Sequence, residues 1–243
     1  MLITGAARRI GREIALTLAQ SGACILIHYR RSRREAQTLQ KEIIRKGAKA
    51  LVFQADFLKP KNLSEEIKRF TNEVYRKAGK VDVLVNNASI FYPTPLSKIT
   101  EKDWDAFSTV NLKAPFFLSK EIGVRMFKQK SGKIINLIDS TAENPTAEFL
   151  PYGISKAGLL AATRGLAKAL APHVQVVGIG PGPILPPEFL SGKKIKAQAA
   201  ARQTLLKRFG NPRDIAQTVK YLVEGTDFVT GVFLPVDGGS SLI

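Results

Sequence analysis

Leu2-Ile3-Thr4-Gly5-Ala6-Ala7-Arg8-Arg9-Ile10-Gly11 opens the chain with an apolar run, a glycine turn and the first residues of a helix. Backbone N–H groups in such a turn, with the positive end of the helix behind it, can receive a pyrophosphate. Gly5 permits the tight turn, and Gly11 lets helix and strand pack closely. The spacing alone also suits a plain strand-to-helix connection. Its place at the head of a strand, turn and helix is what favours dinucleotide binding. Only Met1, Leu2 and Ile3 precede the turn, whereas the central first strand of such a sheet is expected to run about five or six residues. Either that strand is short or the natural start lies upstream of Met1.

Outward from this turn, apolar runs alternate with helix-period segments along the whole chain. Strands are predicted at Leu2 to Thr4, Ala23 to Tyr29, Ala50 to Gln54, Val81 to Val85, Lys133 to Ile138, Val174 to Ile179 and Val232 to Val236. Helices are predicted at about Arg9 to Ser21, Arg33 to Lys46, Leu63 to Lys77, Glu101 to Lys130 and Tyr152 to Ala171, with two more before the last strand. Such alternation means an α/β fold, a seven-stranded parallel sheet with helices on both faces. Right-handed crossovers make it a doubly wound, Rossmann-type sheet whose ligands lie across the carboxyl ends of the strands. The chain reads as one domain, 1–243, with no internal repeat or linker. Its irregular region, rich in proline and glycine from Pro181 to Lys194 and extending to about residue 205, is expected to be a flap over the site.

At 243 residues with 44% hydrophobic content, the chain can bury a sizeable core and is not disordered. No apolar run approaches the roughly 18 to 20 residues that cross a bilayer, and no charged-then-apolar leader precedes Thr4, so a soluble cytoplasmic protein is expected. The single cysteine, Cys24, allows no internal disulfide and reads as a small buried hydrophobe. A formal charge of +17 raises the question of nucleic acid. However, the first 50 residues hold eleven basic residues against three acidic, many at element ends where a phosphorylated cofactor would lie. Others, such as Lys41, Arg45 and Lys46, are spaced as a solvated helix face. No nucleic-acid module is recognisable, so a nucleic-acid partner is not expected.

Several loops carry candidate chemistry. His28-Tyr-Arg-Arg-Ser32 ends the second strand with no carboxylate for a ribose hydroxyl. Arg30, Arg31 and Ser32 instead suit a 2′-phosphate, and so NADPH. His28 lacks partners for a metal, and no metal is expected. Asp56, after the third strand, is placed either to accept from an adenine amino group or to cap the next helix. Asn86-Asn-Ala-Ser89 follows the fourth strand, where its asparagines either fix a loop against ribose or nicotinamide or serve as turn residues. Phe91-Tyr-Pro-Thr-Pro95 sets aromatics at the mouth of the site. Tyr152-Gly-Ile-Ser-Lys156 places a phenol and an ammonium at i and i+4 on one helix face, where the cation favours the ionised phenol. Asp139 lies thirteen residues upstream of that tyrosine.

The glycine turn, Asn86-Asn-Ala, Asn111, Tyr152-x-x-x-Lys156, Pro181-Gly182 and Val236-Asp-Gly-Gly239 together resemble the short-chain dehydrogenase/reductase family over essentially the whole chain. Three positions depart from the usual pattern. Arg9 stands where the family has its middle glycine, Asp139 replaces the active-site serine, and Ser89 replaces a glycine. With His28-Tyr-Arg-Arg-Ser32 and Asn87-Ala-Ser-Ile-Phe-Tyr-Pro-Thr-Pro95, these departures look like the pteridine reductase branch, which includes bacterial dihydromonapterin and dihydrofolate reductases. The resemblance implies NADPH as hydride donor, Tyr152 as proton donor to a ring nitrogen, and Lys156 on the nicotinamide ribose. It implies Asn111 holding a water that reloads the proton and Asp139 orienting Tyr152 and the substrate. Phe91 and the nicotinamide would sandwich the pterin, with Arg9 near both phosphate and pterin edge and Ser89 beside the substrate. Arg8, Ile10, Phe57, Ala88, Pro181, Gly182 and Ile184 would complete the cofactor site, and a homotetramer would form through the two long helices. A 3-oxoacyl or general carbonyl reductase is the competing enzyme reading, with Ser140 or no serine serving. A non-catalytic NADP-sensing or interaction protein is the competing reading outside enzymes.

Overall fold

The computed structural model of the chain describes residues 1–186 and 204–243. Its strands are β1 (Leu2–Ile3), β2 (Ile25–Tyr29), β3 (Ala50–Gln54), β4 (Val83–Asn86), β5 (Gly132–Leu137), β6 (Val174–Pro181) and β7 (Phe233–Val236). They form one sheet in the order β3-β2-β1-β4-β5-β6-β7, every neighbouring pair parallel. The doubly wound α/β fold expected from the alternation is therefore the observed one. β1 has two paired residues, yet it is hydrogen-bonded on both sides, Leu2 opposite Leu26 and Leu84.

The helices are α1 (Arg9–Ala19), α2 (Arg33–Arg45), α3 (Leu63–Ala78), α4 (Glu101–Phe107), α5 (Ala114–Lys128), α6 (Leu150–Leu170) and α7 (Pro212–Lys220). Successive strand residues point to opposite sides of the sheet. Ile3, Ile27, Val85, Ile135 and Val177 pack with α1, α2 and α7 on one face. Leu2, Leu26, Leu84, Ile134 and Val176 pack with α3, α5 and part of α6 on the other. Both faces are covered, which is why the strands read as apolar runs without alternation. No described helix is long and apolar enough to cross a membrane.

One sequence expectation changes. The single long helix over Glu101 to Lys130 is interrupted by a π-helical turn, Ser108–Lys113. Its apolar periodicity runs on through the turn, so the pattern gave no warning. The segment expected as a flap, about 181–205, lies mostly outside the described residues.

Gly11 is where the fold has least room. A Cβ there would lie 2.5 Å from the Gly5 carbonyl oxygen and 2.6 Å from Asn87 Nδ2. Gly11→Ala is expected to destabilise by about 1–3 kcal/mol, the usual cost of overpacking, seen as a lower urea midpoint. Gly165→Ala, in α6 with nothing within 4 Å of the added carbon, should not lower it.

Candidate active site

The carboxyl ends of the strands border a cleft of about 2100 Å³, larger than the roughly 300–1,000 Å³ that suits one small ligand. It lies over the junction of β1 and β4, where the strand order reverses and the following loops diverge.

Side chains from both strands hold the base of this cleft. The Thr4 hydroxyl accepts from Asn87 N and Ala88 N, both at 2.9 Å. Asn87 Nδ2 donates back to Thr4 O at 2.8 Å and to Gly5 O at 3.2 Å. Gly5 takes φ +63, the left-handed region open to glycine, and Ala88 Cα would lie 3.1 Å from any Cβ placed on it. Thr4 was quoted in the opening motif, but no role was read from it. Its hydroxyl is the link between the two loops.

His28 acts beneath the turn. Gly5 N donates to His28 Nδ1 at 3.1 Å, so the ring proton sits on Nε2, 3.2 Å from Ala55 O. Phe57 stacks on the ring at 4.8 Å. Burial pushes the imidazole down to about 4. His28 borders the cleft, and both its ring nitrogens are engaged by the fold, a structural role for the imidazole. Of the two roles weighed for Asp56, helix capping is the one that the structure excludes. Its carboxylate accepts from Leu58 N at 2.8 Å, it is not among the residues bordering the cleft, and Asn62 caps α3 in its place.

Other predicted cofactor residues do gather at the cleft: Arg8, Arg9, Ile10 and Gly11 after β1, and Arg30, Arg31 and Ser32 after β2. Ser32 sits at the N-cap of α2 without a side-chain cap bond, so capping does not consume its hydroxyl. Pro181, Gly182 and Ile184 line the wall after β6. Gly5, Gly11 and the cationic rim form a cradle that fits a phosphorylated dinucleotide. Arg9 has φ +53, a conformation costing a non-glycine residue about 1 kcal/mol or more. Its Nη2 donates to Pro186 O at 2.8 Å, so the guanidinium reaches across to the start of the expected flap.

Asp139, Tyr152 and Lys156 meet at the ends of β5 and α6. The Tyr152 hydroxyl donates to Asp139 Oδ2 at 2.6 Å. Thr141 holds the other carboxylate oxygen through its N–H at 2.9 Å and its hydroxyl at 2.7 Å. Lys156 Nζ donates to Leu137 O at 2.9 Å and lies 5.7 Å from the Tyr152 ring centroid. Burial, then the Asp139 charge, lifts the phenol well above its usual 10. Burial lowers Lys156 to about 8, with Asp139 opposing the shift. The expectation that Lys156 keeps the phenol ionised is therefore corrected. With the ammonium on a carbonyl and a carboxylate on the hydroxyl, the phenol stays protonated, a donor with its proton in place.

Asn111 lies in the π turn, a feature often found at functional sites. Its Oδ1 accepts from Ile90 N at 2.9 Å and from the Ser89 hydroxyl at 3.1 Å, and its Nδ2 donates to Ile90 O at 3.0 Å. Both side-chain polar atoms thus brace the loop. The Ser89 hydroxyl is likewise engaged, although the residue borders the cleft. Phe91 acts as one of a pair: it stacks on Phe149 at 4.6 Å and meets Tyr152 edge-on at 4.7 Å. Phe149 was not anticipated, since a lone aromatic before a helix has no distinguishing spacing. Among the described residues no group of three potential metal ligands comes together.

Residues 1–194 match the short chain dehydrogenase family model. The chain is 35% identical to 3-oxoacyl-(acyl-carrier-protein) reductase of Staphylococcus epidermidis, over 98% of this chain and 97% of that one. It is 32% identical to the enzyme of that name from Synechocystis, over 98% and 95%. A candidate gluconate dehydrogenase of Agrobacterium tumefaciens superposes with a TM-score of 0.91 at 29% identity, covering 100% of this chain and 95% of that structure.

His28 makes a prediction about pH. An unfolded imidazole takes its proton near 6.5 and the buried one near 4, so the unfolded chain binds more protons between those values. Stability should fall as pH drops from about 6.5 to about 4, by up to about 3 kcal/mol from this group. Denaturant unfolding at pH 7 and pH 4.5 should show His28→Gln losing less stability than the unmutated protein. An equal loss would show that the imidazole is not the titrating group.

Proposed function

The chain belongs to the short-chain dehydrogenase/reductase family and is an oxidoreductase, and on that premise we propose that it reduces the ring of a pterin or dihydrofolate with NADPH. NADPH, when bound, supplies hydride to an electrophilic ring carbon such as C6. Gly5, Gly11 and the N-terminus of α1 would seat its pyrophosphate, and Arg30, Arg31 and Ser32 its 2′-phosphate. Tyr152 delivers a proton to the adjacent ring nitrogen, N5, so that a C=N bond becomes CH–NH. Lys156 would hold the nicotinamide ribose.

The observation that carries the substrate reading is the 2.6 Å bond from the Tyr152 hydroxyl to Asp139 Oδ2. A reductase of ketones needs a hydroxyl there to donate to the carbonyl oxygen, and an ionised carboxylate can only accept. Asp139 suits a substrate edge rich in N–H donors, and it is a second ionisable group through which a proton can pass to Tyr152. The Phe91–Phe149 pair supplies an aromatic wall beside it.

The relatives' names favour a second reading, a 3-oxoacyl thioester as substrate, over the pterin. In that reading Ser140, which borders the same cleft, would take the hydroxyl's part. The pteridine branch rests on the departures at Arg9, Asp139 and Ser89, not on those names. We also read the protein as a cytoplasmic single-domain enzyme that forms a homotetramer. Support comes from exposed apolar residues on the two helices expected to pair, Phe116, Val124 and Phe127 on α5 and Ile154 on α6.

NADPH oxidation against dihydromonapterin, dihydrobiopterin, dihydrofolate and acetoacetyl thioesters decides between the substrates. Turnover is expected with a reduced pterin or folate, and turnover of the thioester alone would overturn the proposal. Tyr152→Phe should lose roughly 10² to 10⁴ in kcat, the range of general acid catalysis, with NADPH binding largely kept, and Asp139→Ser should lose pterin reduction.

The cofactor preference has its own test. Charge-assisted bonds are worth roughly 1.5–3 kcal/mol each, so Arg31→Ala should cost about tenfold or more in kcat/KM for NADPH. The unmutated enzyme should prefer NADPH to NADH, and equal use of both would contradict the assignment of Arg30, Arg31 and Ser32.

A further inference from the structure

Three polar contacts join β5 and its extension to α6, and two of them are in the active site. Asp139 meets Tyr152, and the Leu137 carbonyl meets Lys156. Deeper in the core, Asn136 Nδ2 donates to the Thr163 hydroxyl at 2.9 Å. The strand number falls from 139 to 136 as the helix number rises from 152 to 163, so the contacts are successive rungs between one strand and one helix stripe. Tyr152, Lys156, Leu159 and Thr163, spaced by three or four residues, all face the same way. The Thr163 hydroxyl donates in turn to Leu159 O at 2.8 Å.

The deep rung is tied to the rest of the sheet. Asn136 is the register partner of Asn86 on β4, and its Oδ1 accepts from Asn86 Nδ2 at 2.8 Å. Asn86 Nδ2 also donates to Ser119 Oγ on α5 at 3.0 Å. Asn136, Thr163 and Ser119 are 0% exposed. Among the described residues, Asn86 Oδ1 has no hydrogen-bond partner. An apolar set of the same volume would bury no such orphan, so stability alone does not account for a polar cluster here. A cluster of this kind can fix one register between elements that apolar packing would let slide.

We propose that Asn136 and Thr163 are positioning residues, which set the register of α6 against β5 and thereby hold the Tyr152 hydroxyl where it donates. Neither touches the cleft, and both act through Tyr152 and Lys156. The inference rests on Tyr152 as the proton donor but does not depend on which substrate is reduced.

Thr163→Val keeps the side chain's shape and removes the acceptor for Asn136. With dihydrobiopterin, or acetoacetyl thioester if that is what the enzyme reduces, kcat is expected to fall about tenfold. KM and the NADPH dissociation constant should stay within twofold. Misplacement of the donor slows the chemical step, so the deuterium isotope effect with 4-deuterated NADPH should rise. Thr163→Ser, which keeps the hydroxyl, should restore both kcat and isotope effect. Unchanged kcat in Thr163→Val, or a loss matched by an equal loss of NADPH affinity, would overturn the proposal. Thr163→Ala carries the same expectation should the valine form not fold, and failure of both to fold would show the rung to be structural only. Tyr152→Phe measured alongside separates the premises. If it turns over normally, the proton-donor reading fails and the inference falls with it; if it is inactive while Thr163→Val is fully active, only the inference fails.

Discussion

The two halves of the sheet meet at β1 and β4, and the Thr4 hydroxyl is what keeps their loops together. A doubly wound sheet reverses its strand order at this point, so the chain after β1 and the chain after β4 turn to opposite faces and leave a crevice. Here β1 offers only two paired residues, and strand ladder alone fixes little of the turn that follows. Side chains supply the remainder: Thr4 to Asn87 and Ala88, Asn87 back to Thr4 and Gly5, His28 to Gly5. The glycines at 5 and 11 are needed because these bonds draw the backbones too close for a Cβ. The cradle for a dinucleotide is thus a by-product of closing the sheet.

The catalytic end follows a different logic, in which each group is controlled by what burial leaves it to bond. A buried phenol and a buried ammonium both resist charge. The structure gives the phenol a carboxylate and the ammonium a backbone carbonyl, so the two are not paired with each other. The phenol is held protonated and aimed, and the lysine remains a cation near neutral pH. A serine in place of Asp139 would leave the phenol without this acceptor. The residue at position 139 therefore decides what the phenol is bonded to.

Strands were legible because the central ones, β1, β2, β4, β5 and β6, are buried almost throughout, and helices such as α2 and α3 because each buries one apolar stripe. The Tyr152 and Lys156 pair and its spacing from Asp139 were legible too, since helix geometry converts i and i+4 into a shared face. What the sequence could not convey were the partners. The side-chain polar atoms of Asn111 meet Ser89 and Ile90, and those of His28 meet Gly5 and Ala55, contacts between residues distant in sequence that no local pattern encodes. Asp56 was offered as a cap, while Asn62, six residues later, has the geometry to accept from Ser64 and Glu65. The π turn was invisible because the buried positions, Phe107, Val110, Ala114 and Leu118, keep a three- or four-residue spacing through it. Arg9 in the left-handed region is the opposite case. The chain has placed a bulky cation where glycine would be free of strain, and the bond to Pro186 is what that position obtains.

The excess positive charge is unevenly placed around the cleft. Arg8, Arg9, Arg30, Arg31 and Lys59 border the end beside β1, β2 and β3, while Asp139, Glu101, Asp103, Asp105 and Glu148, with Lys102, border the end beside Tyr152. Charges this exposed are screened over about 8–10 Å at physiological salt, so each end acts chiefly on the part of a ligand that lies against it. A molecule with phosphates at one end and a neutral, N–H-bearing ring at the other matches that division among the described residues. Arg8, Arg9, Arg30, Arg31, Lys59 and Lys102 are nearly balanced by Glu101, Asp103, Asp105, Asp139 and Glu148, so the rim explains little of the +17 net charge, and it is the division by sign and not the sum that a ligand meets.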